Sequence, residues 1–284
     1  MRGSLSEEKL EEINSRLPGI DRRLLVATFQ GPDVDLHDLT KGDKLGIALV
    51  CLEDAAHRFS EVGLALNEAY ACQVWYLEAS PKAPLEFEAA FTCRFYANYV
   101  PLLLYAAGED IAAFIVHFLG VGEDLNEYLK NPETVRKLEE KSVSSNAAKV
   151  GIYLGDEYAD HGITKSVLTL HKSRHWRDAM SYRNTWVHEK PPIIDKLGIQ
   201  YDRKSRVRKT QEGGASISFG GGSEPKYTVE ELLEMAHGAA SAFAEALSAL
   251  LGMVIKRREE IGEMFKFDSG GGGISFGQPK KPTA

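Results

Sequence analysis

The stretch Leu45–Ala69, LGIALVCLEDAAHRFSEVGLALNEA, carries the fold of this chain in its spacing. Leu45, Ala48, Leu52, Ala55, Phe59, Val62, Leu66 and Ala69 alternate steps of three and four without a miss. On an α-helix these positions fall on one side, so the row is the apolar stripe of a long amphipathic helix. The spacing predicts a helix over about 44–79, closed at Ser80-Pro81, where proline cannot continue it. A seven-residue apolar repeat suits the interior of a bundle as well as an interface between chains. The bundle interior is the favoured reading.

Working outward, a second apolar helix is expected over about 84–119, with Phe87, Phe91, Phe95, Leu102 and Tyr105 as core candidates and Pro101 as a kink. Asn131-Pro132 reads as an N-cap followed by proline at the first helical position, opening a helix from about 132 to 159. Another helix is expected over about 163–188. Thr228-Val229-Glu230-Glu231 is a capping box that opens the last long helix. The row Ala236, Ala240, Phe243, Leu247, Leu250 and Val254 then repeats the four-three rhythm, with small residues that permit close helix packing. No strand-period segment of comparable length competes. The expected fold class is all-α, an antiparallel bundle of long helices. Three regions are expected: 1–83, helical and able to join the same bundle; 84–267, the main helical domain with a Gly-rich loop near 210–224; and 268–284, a Gly/Pro-rich tail.

Composition is that of an ordinary globular protein: 284 residues, 43% hydrophobic and 26% charged. Cys51, Cys72 and Cys93 lie in apolar stretches with no C-x-x-C pair, as core thiols of a reducing compartment would. Met1 to Ile13 is acidic and helical in pattern, unlike a signal peptide. The apolar run Tyr99–Ala107 stops at Gly108-Glu109-Asp110, well short of the roughly 20 residues of a spanning helix. A cytoplasmic protein without a membrane partner is expected. The net charge of −7 argues against generic nucleic-acid binding, but the average conceals an asymmetry. Residues 165–209 hold 12 Lys and Arg against 4 Asp and Glu, leaving 22 against 37 in the remainder. A local positive face on an acidic body is what capture of a phosphate backbone needs, although a solvated basic loop at Asp202–Lys209 is the plain alternative.

Inside that basic block stands Tyr182-Arg183-Asn184-Thr185-Trp186-Val187-His188-Glu189-Lys190-Pro191-Pro192. Trp176, Met180, Arg183 and Val187 follow the spacing of a core-facing stripe, which Arg183 would interrupt. Five residues on a regular helix leave two side chains roughly 140° apart, so Arg183 and His188 converge only if the helix loosens or ends. The double proline supplies that end.

This R-N-x-x-x-H segment resembles the motif of the HEPN superfamily, an all-helical group with many metal-independent ribonucleases. The resemblance covers the motif and its flanking long helices, residues 84–265, and leaves the first eighty residues outside. It implies an HEPN-like metal-independent endoribonuclease of a toxin or phage-defence type. It also implies that His188 does acid/base work, Arg183 contacts the phosphate, and Asn184 orients or binds the backbone. Arg174, His175 and Arg177 are further candidates for substrate binding in the basic block. The residue types suit the task, since imidazole titrates near neutrality and the guanidinium fork holds two phosphate oxygens at once. The implied reaction is attack of the 2′-hydroxyl on the adjacent phosphorus, sparing DNA. A homodimer is implied, with an antitoxin or other protein as a further partner, and no metal or cofactor is called for. The alternative is a non-catalytic HEPN-like helical module that binds RNA, a nucleotide or a protein partner. A structural arginine, paired with a carboxylate from a neighbouring helix, is the plain reading of Arg183, with His188 merely finishing the helix.

Other clusters carry less. His171 and His175 have the i, i+4 spacing of helical metal ligands, but two cations lie between them and a basic surface is the better reading. Asp156, Glu157, Asp160 and His161 read as a solvated turn. Ile217-Ser218-Phe219-Gly220 and Ile274-Ser275-Phe276-Gly277 repeat one tetrapeptide on either side of the last helix. They read as flexible linker and tail, or as two segments that pair with each other across a dimer. No phosphate loop, dinucleotide fingerprint or nucleophile elbow is present.

Overall fold

Local capping and apolar spacing account for most of the elements. The computed structural model describes residues 5–29, 45–78, 86–141, 143, 145–188, 192, 194, 205–209, 215–219, 226–267 and 274–276. Among them are ten helices: α1 (Glu7–Arg16), α2 (Arg22–Phe29), α3 (Leu45–Glu78), α4 (Glu86–Leu119), α5 (Gly122–Lys130), α6 (Pro132–Glu140), α7 (Asn146–Glu157), α8 (Gly162–Lys172), α9 (Arg174–His188) and α10 (Val229–Met264). The protein is an all-α bundle. Asn131 caps α6 by accepting from the Glu133 amide, with Pro132 in the first turn. Thr228 and Glu231 exchange hydrogen bonds of 2.8 and 3.1 Å as a reciprocal capping box on α10.

The three-four rows behave as core. On α3, Ala48, Leu52, Ala55, Phe59, Val62, Leu66 and Ala69 are all buried; on α10 the whole row from Ala236 to Val254 is fully buried. On α4 the expectation fails. Phe91 and Phe95 are 52 and 57% exposed, and Leu102 and Tyr105 are half-buried; Tyr99, on the same face as Phe95, is 46% exposed. The side chain of Phe87 lies outside the described residues. The buried row is instead Ala89, Cys93, Ala97, Val100, Leu104, Ala107, Ile111 and Phe114. Small side chains let helices approach closely, and this row takes the interior at the expense of the larger aromatics. Pro101 lies within α4, whose helical course runs through it. Cys72 and Cys93 are buried free thiols, and burial pushes Cys93 up to about 12.

Two expected helices are each divided. The 132–159 segment is α6 and α7, with Ser145 capping the second by accepting from the Ala148 amide at 3.2 Å. The 163–188 segment is α8 and α9, interrupted at Ser173. His171 lies on α8 and His175 on α9, so the two do not share the single continuous helix that their i, i+4 spacing assumed.

The repeated tetrapeptides do not pair with each other. Strand β1 (Ser205–Lys209) pairs antiparallel with β2 (Ala215–Phe219), and β3 (Phe265–Phe267) with β4 (Ile274–Phe276). Each repeat thus closes a local hairpin, for which loop-closure entropy is far smaller than for a partner beyond an intervening helix.

Two compact units result, each discontinuous in sequence. One comprises Met1–Pro18, Phe59–Tyr105 and Ser173–Ser241; the other comprises Gly19–Arg58, Ala106–Lys172 and Ala242–Ala284. In the first, Asn67 donates to Asn14, tying α3 to α1, and the Tyr70 hydroxyl meets His237 Nδ1 at 2.9 Å, tying α3 to α10. In the second, Arg58 Nε reaches Asp110 at 2.6 Å, and Glu109 accepts from the amides of Asn146 and Ala147 at the start of α7. Arg258 there donates to the carbonyls of Ala27 and Thr28 at the end of α2. Glu88–Leu119 and Val229–Glu259 are long and apolar enough to cross a membrane by length and composition, so Tyr99–Ala107 lies inside a longer apolar stretch than expected. Core helices of a bundle pass the same test, and 44 and 50% of the respective windows are buried within the protein.

Leu52→Ala should lower unfolding free energy by about 2–5 kcal/mol, the cost of an unfilled core site. Ile47→Ala, on the exposed face of the same helix, should stay within about 0.5 kcal/mol. Urea titration of both variants checks the assignment of the two faces.

Candidate functional site

Helix α9 begins where Ser173 caps it, its hydroxyl accepting from the Trp176 amide at 3.5 Å. The face of α9 turned to the core carries Trp176, Ala179 and Tyr182, all buried. Met180 and Arg183 are only half-buried and Val187 is 46% exposed. Arg183 therefore stands at the edge of the apolar stripe, one residue past its last core member, and not in its middle as the spacing suggested.

Tyr182 fixes that edge. Its hydroxyl donates to Asn98 Oδ1 of α4 at 2.5 Å in a buried pair, and its ring meets Tyr227 edge-on with centroids 5.3 Å apart. Tyr227 in turn bridges the backbone of buried Ile194, which anchors the chain beyond α9.

One residue later, the Arg183 guanidinium carbon lies 3.9 Å from the centroid of the Tyr105 ring. Arg183 Nη1 donates to Asn184 Oδ1 at 3.0 Å and lies 3.4 Å from His188 Nε2. For Nη1 to donate there, the imidazole must keep its lone pair on Nε2. Arg183 Nε is buried without a hydrogen-bond partner, and no carboxylate pairs with Arg183 among the described residues. His188 is the last residue of α9, and the long arginine side chain spans the turn between them. The structure thus brings Arg183, Asn184 and His188 together, with Arg183 stacked on Tyr105.

Arg174, His175 and Arg177 stand elsewhere. Nine and six residues before Arg183, Arg174 and Arg177 lie about 180° and 120° around the helix from it. Arg174 is exposed and pairs with Asp178 at 3.4 Å, while Arg177 is exposed. His175 lines a cleft of about 310 Å³ together with Tyr70, Glu230, Glu234 and His237. Gly238 permits the close approach of His175, because a Cβ there would stand 2.4 Å from His175 Cγ. Burial, then the neighbouring His175, hold the His237 imidazole below its usual range. Burial does the same to His171. Asp156 accepts from Lys137 and Tyr128, and the Lys137 bond leads in lowering its carboxyl. No group of three or more His, Cys, Asp or Glu side chains among the described residues could hold a metal ion.

Tyr105 is the component that sequence reasoning misplaced, as a core residue. Nothing local in the sequence ties it to Arg183, because the contact joins two helices. The Tyr70–His237 pair was not anticipated either. No family model matches the chain, and no curated protein or solved structure matches it.

The two depressed imidazoles set a pH dependence. The unfolded chain takes up protons near the ordinary value of 6.5, whereas folded His171 and His237 resist them. Stability is therefore complete above that value and falls as pH drops through it, levelling once the folded groups protonate. Urea midpoints should be lower at pH 5 than at pH 7.5, and His171→Gln should reduce the difference.

Tyr182→Phe should cost about 1–3 kcal/mol, because it leaves buried Asn98 without its donor. The same titration at pH 7.5 measures it.

Proposed function

We propose that this chain is an HEPN-like metal-independent endoribonuclease of the toxin or phage-defence type, cytoplasmic and homodimeric, with an antitoxin or other protein as a further partner. The single observation that carries the reading is the Arg183 guanidinium, unpaired with any described carboxylate and 3.4 Å from His188 Nε2. A structural arginine would be expected to meet an acidic neighbour. This one keeps its charge for an incoming anion, beside a group able to exchange a proton.

In the proposed reaction the 2′-oxygen of RNA forms a bond to the adjacent phosphorus while the bond to the 5′-oxygen breaks. His188 takes or gives a proton at these oxygens, and Arg183 holds the growing negative charge on the phosphorane. The products are a 2′,3′-cyclic phosphate and a 5′-hydroxyl. Asn184, hydrogen-bonded to Arg183, orients the guanidinium or the backbone beside it. For the homodimer, the supporting observation is the exposed aromatic row Phe91, Phe95 and Tyr99 on α4, since large apolar side chains in a row mark interaction surfaces.

Purified protein incubated with RNA in chelator should yield cyclic-phosphate ends and leave DNA intact. His188→Ala should slow cleavage at least about 100-fold with the fold retained. Binding of RNA without cleavage would replace the enzyme with the non-catalytic module, and cleavage that needs added metal would reject the mechanism.

A further inference from the structure

A half-buried arginine that meets no carboxylate among the described residues still has to be held in place. Among the described residues, the groups that hold Arg183 carry no negative charge: the Tyr105 ring below, and Asn184 Oδ1 and His188 Nε2 at one nitrogen. An aromatic face attracts a cation through its quadrupole without cancelling its charge, which a carboxylate would do. Stacking also fixes the plane of the guanidinium and leaves its edge to donate. Nη1 is the nitrogen engaged, and Nε is withdrawn from water without a hydrogen-bond partner among the described residues.

We infer that Tyr105 is a positioning residue that keeps Arg183 planar and uncompensated, so that the edge of α9 beside His188 captures a tetrahedral oxyanion of the phosphate class. The inference rests on the ribonuclease reading only for the source of that anion, a phosphodiester of RNA, and its tests read binding and geometry instead of turnover. Tyr105 touches the guanidinium and not the substrate, so its effect passes entirely through Arg183. The contact with Arg183 is made by the ring, so phenylalanine should place the guanidinium as tyrosine does.

The test uses the full chain with Tyr105→Phe, Tyr105→Leu and Arg183→Lys. Two probes are used: inorganic phosphate, and a 2′-O-methyl RNA oligonucleotide that lacks the attacking hydroxyl. In NMR spectra the Arg183 Nε–H proton should be shifted upfield by the ring in the parent and in Tyr105→Phe, and should lose that shift in Tyr105→Leu. The oligonucleotide should bind the parent and Tyr105→Phe alike, and Tyr105→Leu about 2- to 30-fold more weakly, the span of a cation–π contact. Arg183→Lys should bind more weakly still, having no planar fork. An unchanged Nε–H shift in Tyr105→Leu, or equal binding by all variants, would overturn the inference. So would a parent that binds neither probe. Should Tyr105→Leu not fold, weakened binding in Tyr105→Phe would overturn it, and unaltered binding together with a retained upfield shift would support it. Phosphate binding without RNA binding would keep the anion site and remove RNA as its source. Oligonucleotide binding by a protein that cannot cleave ordinary RNA would keep the inference and end the ribonuclease reading.

Discussion

The hydrogen bond from Tyr182 to Asn98 is the contact on which the arrangement of the site depends. Both side chains are buried, so each polar group must find its partner inside the protein, and only one approach of α9 to α4 satisfies both. Apolar packing alone would tolerate a sliding of one helix along the other. The hydrogen bond does not, because its strength falls steeply with distance and angle. Asn98 and Tyr105 lie seven residues apart and share a face of α4, while Tyr182 and Arg183 are adjacent on α9. Fixing the first pair therefore aligns the second. The edge contact of Tyr182 with Tyr227, and the bridge from Tyr227 to Ile194, hold the same corner from the other side.

Arginines in this protein find different partners, and the contrast bears on Arg183. Arg58 meets the carboxylate of Asp110, Arg174 meets Asp178 on its own helix, and Arg258 donates to the carbonyls that end α2. Each of these is a structural use of the side chain. Arg183 alone among these four rests on a ring and shares a nitrogen with an amide and an imidazole. A cation so placed keeps its field. The proposal of anion capture at this point follows from that physical difference, whichever chemistry is then carried out.

Several elements escaped sequence reading for identifiable reasons. The starts of α7 after Ser145 and of α9 after Ser173 are set by serine caps, and a single serine inside a helical pattern is a weak signal. The two hairpins were hidden because glycine-rich composition suggests flexibility, whereas each Ile-Ser-Phe repeat has a local strand partner: Val207 faces Ile217, and Phe267 faces Ile274. The reach between Arg183 and His188 was legible as a requirement that the helix end, and α9 does end at His188.

What the amino-acid order determined unaided was the helical class, the faces of α3 and α10, and the capping of α6 and α10. These depend on interactions within a few residues, or on a single apolar row with no competitor on the same helix. On α4 two rows competed, one aromatic and one of small residues, and hydrophobicity alone favoured the aromatics. Only tertiary packing decided between them, because the closeness of neighbouring helices rewards Ala89, Cys93 and Ala97 over Phe91 and Phe95. The same holds for the site. The residues of the motif could be read in line, but the ring beneath Arg183 and the lack of an acidic partner among the described residues are properties of two helices meeting. No local spacing encodes such a meeting, since it is settled by which faces bury and where one internal hydrogen bond locks them.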